Sequence, residues 1–179
     1  MILTGPEIER EVTAGRIHID DFDWRRVEPN SYGFKLGREL LTYETAVIDC
    51  AEEPPTRRSE IGADGVVLEP ERFYLASTSE AMGSLHYATT LYASRSVASL
   101  GMWIQFSAPL GHSGAIFPWT LEVRVAQPVR VYPRMTIGKI AFWKMRGPRL
   151  RYAGKYDGSV TAVQSRLSAE FGTREVPTA

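Results

Sequence analysis

One carboxylate in the sequence lies where acid–base chemistry is possible. Glu122 belongs to the segment WTLEVRV, in which apolar residues occupy every second position. Strand alternation places Glu122 on one face with Thr120 and Arg124. The opposite face then carries the apolar side chains of Trp119, Leu121, Val123 and Val125. A solvated face would make Glu122 an ordinary surface residue, whereas a face that lines a cleft would suit it to act as a general base.

A second group of residues has the types that bind phosphate. In the segment YASRSVASLGM, Arg95 and Ser96 stand where a strand pattern changes to a helical turn. Backbone N–H groups and hydroxyls at such a turn can cradle phosphate, and an arginine can clamp it through two hydrogen bonds. The alternative is the ordinary capped start of a helix, which has the same residue types.

Several kinds of catalytic site have no counterpart in the sequence. The three histidines are far apart, and no H-E-x-x-H, C-x-x-C or H-x-E pattern occurs, so we expect neither zinc nor another metal held by protein ligands. Mg²⁺ that arrives on the phosphates of a substrate needs no such ligands. The P-loop pattern is absent, and Cys50 has no histidine near it in sequence. His112, between two small residues, is predicted to be a loop residue, with lining a site as the alternative.

Charge is balanced overall but unevenly distributed. The chain has 21 Lys and Arg residues and 21 Asp and Glu residues. From Arg130 to Lys155, however, every charged residue is basic. Such a run indicates either a site for a polyanion or a solvated basic face. The neutral balance and the lack of a recognisable nucleic-acid-binding module argue against nucleic acid as the partner.

Length and composition indicate one globular domain. The chain has 179 residues, of which 44% are apolar and 23% charged. No apolar run is long enough to span a membrane, and the first ten residues lack the order of a signal peptide, so we expect a cytoplasmic protein. A single cysteine excludes an internal disulfide.

The chemistry-bearing residues must be positioned mainly by β-strands. Thr4 and Glu7 have the spacing of a capping box, and Gly15 follows as a stop signal, so a short helix is predicted between them. Tyr32 and Phe34 belong to an alternating strand. Further β-branched and aromatic segments recur every 8–12 residues or so, which predicts an all-β sandwich or barrel. Residues 51–65 are predicted to form an exposed loop.

Seven motifs in series resemble those of the dCTP deaminase family, in the dUTPase-like superfamily. They occur in unbroken order over most of residues 2–167. The motifs are LTGPEIEREVTAGRIHID, EPNSYGFKLG, VLEPERFYLASTSE, RSVASLGM, GHSGAIFPWTLEV, VYPRMTIGKIAFWKM and YAGKYDGSVTAVQSRL.

This resemblance implies a mainly β fold, a distorted β-barrel or jelly roll with a short N-terminal helix. It implies one domain over residues 1–179, with 149–179 as a C-terminal arm or lid, and a homotrimer with sites at subunit interfaces. The implied reaction is the zinc-independent hydrolytic deamination of dCTP to dUTP and ammonia, with Mg²⁺ carried by the triphosphate. The alternatives are a dUTPase-type or bifunctional pyrophosphohydrolase, and a non-catalytic nucleotide-binding regulator on the same fold.

The resemblance also implies roles for individual residues. Glu122 falls on the family's general base, which activates water to attack C4 of cytosine. Arg95 and Ser96 fall on a pair that contacts phosphate or the reacting water. Substrate binding is implied for four further residues, Ser94, Lys155, Tyr156 and Gln164.

Some family positions are occupied by other residues here. Ser99 stands where the family has an arginine, and Pro109 where it has an aspartate that binds the sugar 3′-hydroxyl. Lys139 replaces a glutamine, and Gly33 an aspartate. These departures leave the nucleotide substrate open, and with it the choice between deaminase, bifunctional enzyme and inactive homologue. Residues 149–167 are poor in apolar side chains, so we expect a triphosphate to order them as a lid, with a permanently docked arm as the alternative.

Overall fold

Antiparallel β-strands form the framework of the computed structural model, which describes residues 1–171. The helices are α1 (Gly5–Thr13) and α2 (Arg95–Ser99), and short 3-10 turns cover Trp24–Arg26 and Leu167–Glu170. The strands of this part of the chain are β1 (His18–Ile19), β2 (Val27–Glu28), β3 (Ser31–Tyr43), β4 (Thr56–Glu60), β5 (Val66–Leu68), β6 (Tyr74–Gly83), β7 (Tyr87–Ala93), β8 (Met102–Trp103), β9 (Leu110–Gly111), β10 (Phe117–Val125), β11 (Val129–Val131) and β12 (Thr136–Lys144).

Strand β3 is the centre of the sheet and is shared by its two halves. The first part of β3 pairs with β12 and β2, whereas the second part pairs with β6 and β4. The main sheet therefore runs in the order β8-β10-β6-β3-β12-β7-β9 and curls into half a barrel, while β5 and β11 form a separate pair. The predicted mainly β, barrel-like fold with a short N-terminal helix is confirmed.

The core fills the inside of this curled sheet. Tyr32, Phe34 and Leu36 of β3 are almost fully buried, as their alternation predicts, and Ile140 and Phe142 of β12 pack in the same cluster. Burying a side chain of this size contributes about 1.5–3 kcal/mol. This packing makes the sheet a rigid support for the residues along its edges.

The first helix forms at the predicted place, but without the predicted cap. Thr4 precedes α1, yet its side chain makes no capping hydrogen bond, and Glu7 forms an ion pair with Arg10 instead. The chain leaves the helix through Gly15, whose φ of +69° suits glycine. In the described part of the chain, no helix is long and apolar enough to cross a membrane.

Residues 51–65 are not entirely a loop, which corrects the sequence prediction. Thr56–Glu60 forms β4, which pairs with the second part of β3. Four of its five residues are exposed, so the strand has no alternating apolar pattern by which it could be recognised. This segment is a strand only because its backbone pairs with β3.

Candidate functional site

A cavity of about 510 Å³ lies against β10, between the sheet and the C-terminal segment. Strands β3, β6 and β10, the turn after β9 and the segment from 152 to 165 all contribute to its wall. The lining residues are Tyr43, Phe73, Leu75, Ala108, Leu110, His112, Ala115, Phe117, Trp119, Thr120, Glu122, Tyr152, Tyr156, Ser159, Val163, Gln164 and Ser165.

Glu122 lies on the wall of this cavity. Its neighbours Leu121 and Val123 are buried in the core, so the alternation along β10 turns Glu122 to the other face, half-buried. The Glu122 carboxylate accepts a hydrogen bond from the backbone N–H of Phe106 at 2.8 Å. The backbone N–H of Glu122 donates to the carbonyl of Ile104 at 3.0 Å. The carboxylate is therefore held in a fixed orientation beside the cavity.

Trp119 also lines the cavity, although the alternation placed it on the opposite face. The pairing of β10 with β6 shifts its register between Pro118 and Thr120, which is a bulge. At this bulge the Trp119 backbone N–H donates to the hydroxyl of Thr78 at 2.9 Å, and its indole N–H donates to the carbonyl of Met82 at 2.8 Å. The bulge brings Trp119 and Thr120 onto the same cavity wall.

Two groups of aromatic rings lie at the cavity. In the first group, Phe73 stacks on Tyr43 and meets the edge of Phe106, the residue that binds Glu122. In the second group, the Tyr152 ring stacks on His112 and also contacts Phe117. Flat apolar surfaces of this kind suit a planar ligand such as a nucleobase.

Residues 149–171 of the C-terminal arm are docked and form one wall of the cavity, whereas the rest of the predicted arm, 172–179, lies outside the described residues. Ala162 is fully buried against Leu41 and Leu75. The backbone N–H of Val163 donates to the hydroxyl of Thr120, and the N–H of Ser165 donates to the Tyr43 hydroxyl, both at 3.2 Å. One buried alanine and several backbone hydrogen bonds thus hold a segment whose sequence is poor in apolar residues. Any further ordering by a nucleotide remains a prediction.

The three arm residues assigned to substrate binding lie together near this wall. Tyr156 and Gln164 line the cavity, and the Gln164 side chain donates to the Glu53 carboxylate at 2.6 Å. Lys155 lies beside the Tyr156 ring, with its ammonium 5.7 Å from the ring centroid. The ammonium pairs with Glu170, whose carboxylate raises the pKa of Lys155. The arm therefore holds cationic and amide groups next to the cavity.

Ser94, Arg95 and Ser96 are not among the residues that line the cavity. The Ser94 hydroxyl caps α2 by accepting the backbone N–H of Val97 at 3.4 Å, so the capped-helix interpretation describes this serine. Arg95 and Ser96 are exposed. Within one chain, the structure does not bring these residues together with Glu122.

The departures from the family pattern have local explanations. Ser99 donates to the carbonyl of Arg95 at 2.9 Å, within α2. Lys139 donates to Glu28 at 2.9 Å and does not line the cavity. Burial acts to raise the pKa of Glu28, but the hydrogen bonds from Lys139 and Ser31 lower it. Lys139 is thus part of an ion pair on the sheet, away from the proposed site.

Sequence reasoning missed much of the cavity wall. His112 lies in a loop, as predicted, and it also lines the site, which the sequence left as the alternative. Tyr43, Phe73 and Tyr152 carry no predicted role in the site. They lie at strand ends and turns, where periodicity carries no signal. An aromatic residue near the basic arm, as in RYAGKY, is the one sequence feature that could have indicated Tyr152. Within residues 1–171, no three His, Cys, Asp or Glu side chains are grouped to bind a metal.

The family model for dCTP deaminase-like proteins matches residues 2–145. This range contains the whole sheet and Glu122. The chain belongs to the dCTP deaminase-like family.

Close relatives of this dCTP deaminase-like protein match along nearly its full length. A protein of Clostridium beijerinckii named "dCTP deaminase, dUMP-forming" is 35% identical over 96% of this chain and 99% of its own. A "dCTP deaminase" of Rhodopirellula baltica is 36% identical over 96% of this chain and 87% of its own. The similarity therefore extends beyond the sheet into the C-terminal arm.

A solved structure supports the fold of the dCTP deaminase-like protein. The 2′-deoxycytidine 5′-triphosphate deaminase of Agrobacterium tumefaciens superposes with a TM-score of 0.61 at 18% identity. The match covers 79% of this chain, which spans about half (47%) of the Agrobacterium chain. At this identity the likeness concerns the fold, which is of the dUTPase-like type.

Proposed function

We propose that this protein removes the amino group of dCTP by hydrolysis, with Glu122 as the general base. The observation that carries the proposal is the half-buried Glu122 carboxylate, oriented by the Phe106 N–H at the wall of a cavity lined with aromatic rings. The family and the names of the relatives agree with a hydrolase that acts on a cytosine nucleotide.

The proposed reaction balances with one carboxylate and one water. Glu122 takes a proton from the water, whose oxygen bonds to C4 of cytosine. Glu122 passes this proton to N3 of the ring, and the proton of the new C4 hydroxyl goes to the amino group. The C4–N4 bond then breaks, so that ammonia leaves and C4 becomes a carbonyl. Phe106 binds Oε2 of Glu122, and Oε1 makes no hydrogen bond within residues 1–171. That oxygen is the one we assign to the water.

The arm supplies the charge that a triphosphate requires. Lys155 lies beside Tyr156, and the Arg166 guanidinium lies 5.7 Å from the centroid of the same ring. Cations bind phosphate oxygens through charge-assisted hydrogen bonds. We therefore propose that the substrate is a deoxynucleoside triphosphate that carries Mg²⁺ and that its phosphates lie along the arm.

The product distinguishes two versions of this function. A deaminase yields dUTP, whereas the "dUMP-forming" names of several relatives favour a second hydrolysis that releases diphosphate. The test is to incubate the protein with dCTP and Mg²⁺ and to quantify ammonia, dUTP, dUMP and diphosphate by anion-exchange chromatography. Ammonia with dUTP supports the deaminase, and ammonia with dUMP and diphosphate supports the bifunctional enzyme. Ligand-dependent thermal stabilisation without ammonia would support the nucleotide-binding regulator instead.

We also propose that the site is completed by a neighbouring chain in a homotrimer. Arg95 is exposed, and its guanidinium makes no hydrogen bond or ion pair within residues 1–171. Light scattering should then give about 60 kDa, three times the chain mass of 20.0 kDa. Mixing an Arg95→Ala chain with a Glu122→Gln chain should restore activity, because some sites receive both intact residues. Two inactive parents that stay inactive when mixed would place both residues in one chain.

A further inference from the structure

His112 differs from every other polar side chain on the cavity wall. Each of the others makes a hydrogen bond within the protein: Tyr43, Trp119, Thr120, Glu122, Tyr152, Tyr156, Ser159, Gln164 and Ser165. The His112 imidazole makes none within residues 1–171 and is exposed to the cavity. Both of its ring nitrogens are therefore available to a ligand in the cavity, in addition to Oε1 of Glu122.

The imidazole is nevertheless held in a defined position. Its ring stacks on Tyr152, with centroids 5.6 Å apart and planes inclined by 14°. The chain on both sides is fixed, because the Tyr152 backbone N–H donates to the Ser113 carbonyl and the Gly114 N–H donates to the Ser84 carbonyl, both at 2.8 Å. A ring that is oriented by packing but has no hydrogen-bond partner in the protein is prepared to bind a ligand.

Ring contacts connect His112 to the start of β10, whereas Glu122 lies in the second half of this strand. The Tyr152 ring on which His112 stacks also contacts Phe117, at the start of β10. Glu122 is five residues further along this strand, which corresponds to about 17 Å of extended chain, somewhat less across the bulge. If the base lies at Glu122, the sugar extends toward His112.

We propose that His112 is a specificity residue that binds the 3′-hydroxyl of the deoxyribose; this inference rests on the proposed function. A 2′-deoxynucleoside 5′-triphosphate has one free sugar hydroxyl, at C3′, and a neutral imidazole can donate to it or accept from it. Ala108, Pro109 and Leu110, on the chain just before His112, have no side-chain group that could do so. The phosphates have cations of their own, Lys155 and Arg166, on the arm.

The test compares dCTP with 2′,3′-dideoxy-CTP, which lacks only the hydroxyl in question. Binding is measured by calorimetry in the Glu122→Gln background, so that turnover does not interfere, with and without His112→Phe. Phenylalanine keeps the stack on Tyr152 but removes both nitrogens. We expect His112→Phe to weaken dCTP binding about 5- to 10-fold and dideoxy-CTP binding less than 2-fold, the size of one lost hydrogen bond. His112→Gln should recover part of the affinity for dCTP.

Equal weakening for both nucleotides would overturn the proposal, since it would show a contact to phosphate or a packing role. No weakening for either would overturn it as well. The thermal midpoint of His112→Phe should match that of its parent. Failure of the proposed function is recognised separately: a wild-type protein that binds dCTP and releases no ammonia contradicts the reaction but not the hydroxyl contact, whereas a protein that binds neither nucleotide contradicts both.

Discussion

The Glu122 carboxylate accepts the backbone N–H of Phe106 at 2.8 Å, and this contact ties strand β10 to the loop that follows β8. A backbone donor keeps its place when side chains change, so the orientation of this carboxylate depends on the fold rather than on another side chain. The Phe106 ring in turn meets Phe73 at the cavity. The same loop therefore positions the Glu122 carboxylate, which is the proposed general base, and the aromatic surface that suits a nucleobase.

Replacing Glu122 by glutamine should remove the base but keep the contact. The amide oxygen of Glu122→Gln can still accept the Phe106 N–H, so folding and nucleotide binding should change little. We expect kcat to fall about 10²- to 10⁴-fold, the usual effect of losing a general base. Ammonia release from dCTP measures it. Glu60→Gln, on the exposed strand β4, is the matched control and should retain full activity, whereas near-wild-type activity in Glu122→Gln would reject the assignment.

Lys155→Ala should weaken nucleotide binding more than it weakens the fold. The ammonium is at the surface of the arm, paired with Glu170, and belongs to no packed core. The loss of a charge-assisted hydrogen bond to phosphate should raise Kd by roughly 10-fold or more. Calorimetric titration with dCTP checks the affinity, and thermal unfolding checks the fold. Lys144→Ala, at the exposed end of β12, should alter neither; equal affinities for the two variants would remove Lys155 from the site.

Glu11 should make the protein sensitive to acid. Its buried carboxylate accepts hydrogen bonds from Arg16 at 2.6 Å and from the Tyr87 hydroxyl at 2.7 Å. The hydrogen bond from Arg16, against the effect of burial and with help from Tyr87, lowers the pKa of Glu11 to about 2 from its ordinary 4.5. Because the folded pKa is the lower one, the stabilisation is complete above about pH 4.5 and is lost as the pH falls toward 2.

Glu11→Gln should therefore cost about 1–3 kcal/mol of unfolding free energy at pH 7. The difference from wild type should shrink as the pH falls from 4.5 toward 2, where the native carboxyl is also neutral. Urea unfolding at a series of pH values measures this. Glu9→Gln, on the exposed side of α1, serves as control. A gap that stays constant over this pH range would contradict the ionic origin of the effect.

Gly111→Ala should disturb the cavity by displacing the Trp119 ring. A Cβ atom at this position would lie 2.0 Å from Oγ1 of Thr89 and 2.5 Å from the Trp119 ring. The ring, which lines the cavity, would have to move, at a cost of about 1–3 kcal/mol in stability. We expect a lower thermal midpoint and weaker dCTP binding. Gly62→Ala, where a Cβ meets nothing within 4 Å, should have neither effect.

Hydrogen exchange should distinguish the part of the arm that is docked without nucleotide from the part that is predicted to close as a lid. The N–H groups of Val163 and Ser165 are hydrogen-bonded to side chains of the sheet, so they should be protected before any nucleotide is added. Residues 153–158, which lack a buried anchor comparable to Ala162, should gain protection only with dCTP and Mg²⁺. Mass spectrometry of peptides from 149–167 reads both regions. If protection is the same with and without nucleotide, the arm is permanently docked and there is no lid.

The sequence by itself determined the mainly β fold, without strand β4, and the face on which Glu122 lies. Leu121 and Val123 are buried because alternate residues of a strand point to opposite sides, and this period is local. The same local rule placed Tyr32 and Phe34 on an alternating strand, and the change of pattern at Arg95 and Ser96 indicated the helical turn that forms α2. The order of the motifs indicated the family, which the match over residues 2–145 shows.

Only the tertiary structure decided which residues share the cavity. Tyr43, Phe73 and His112 are far apart in sequence, yet all three line the cavity, because the end of β3, the start of β6 and the turn after β9 all border it in the curled sheet. The bulge beside Trp119 arises from pairing with β6, so the sequence of β10 could not show it. The availability of His112 is likewise a property of its surroundings, since a side chain lacks a partner only relative to everything folded around it.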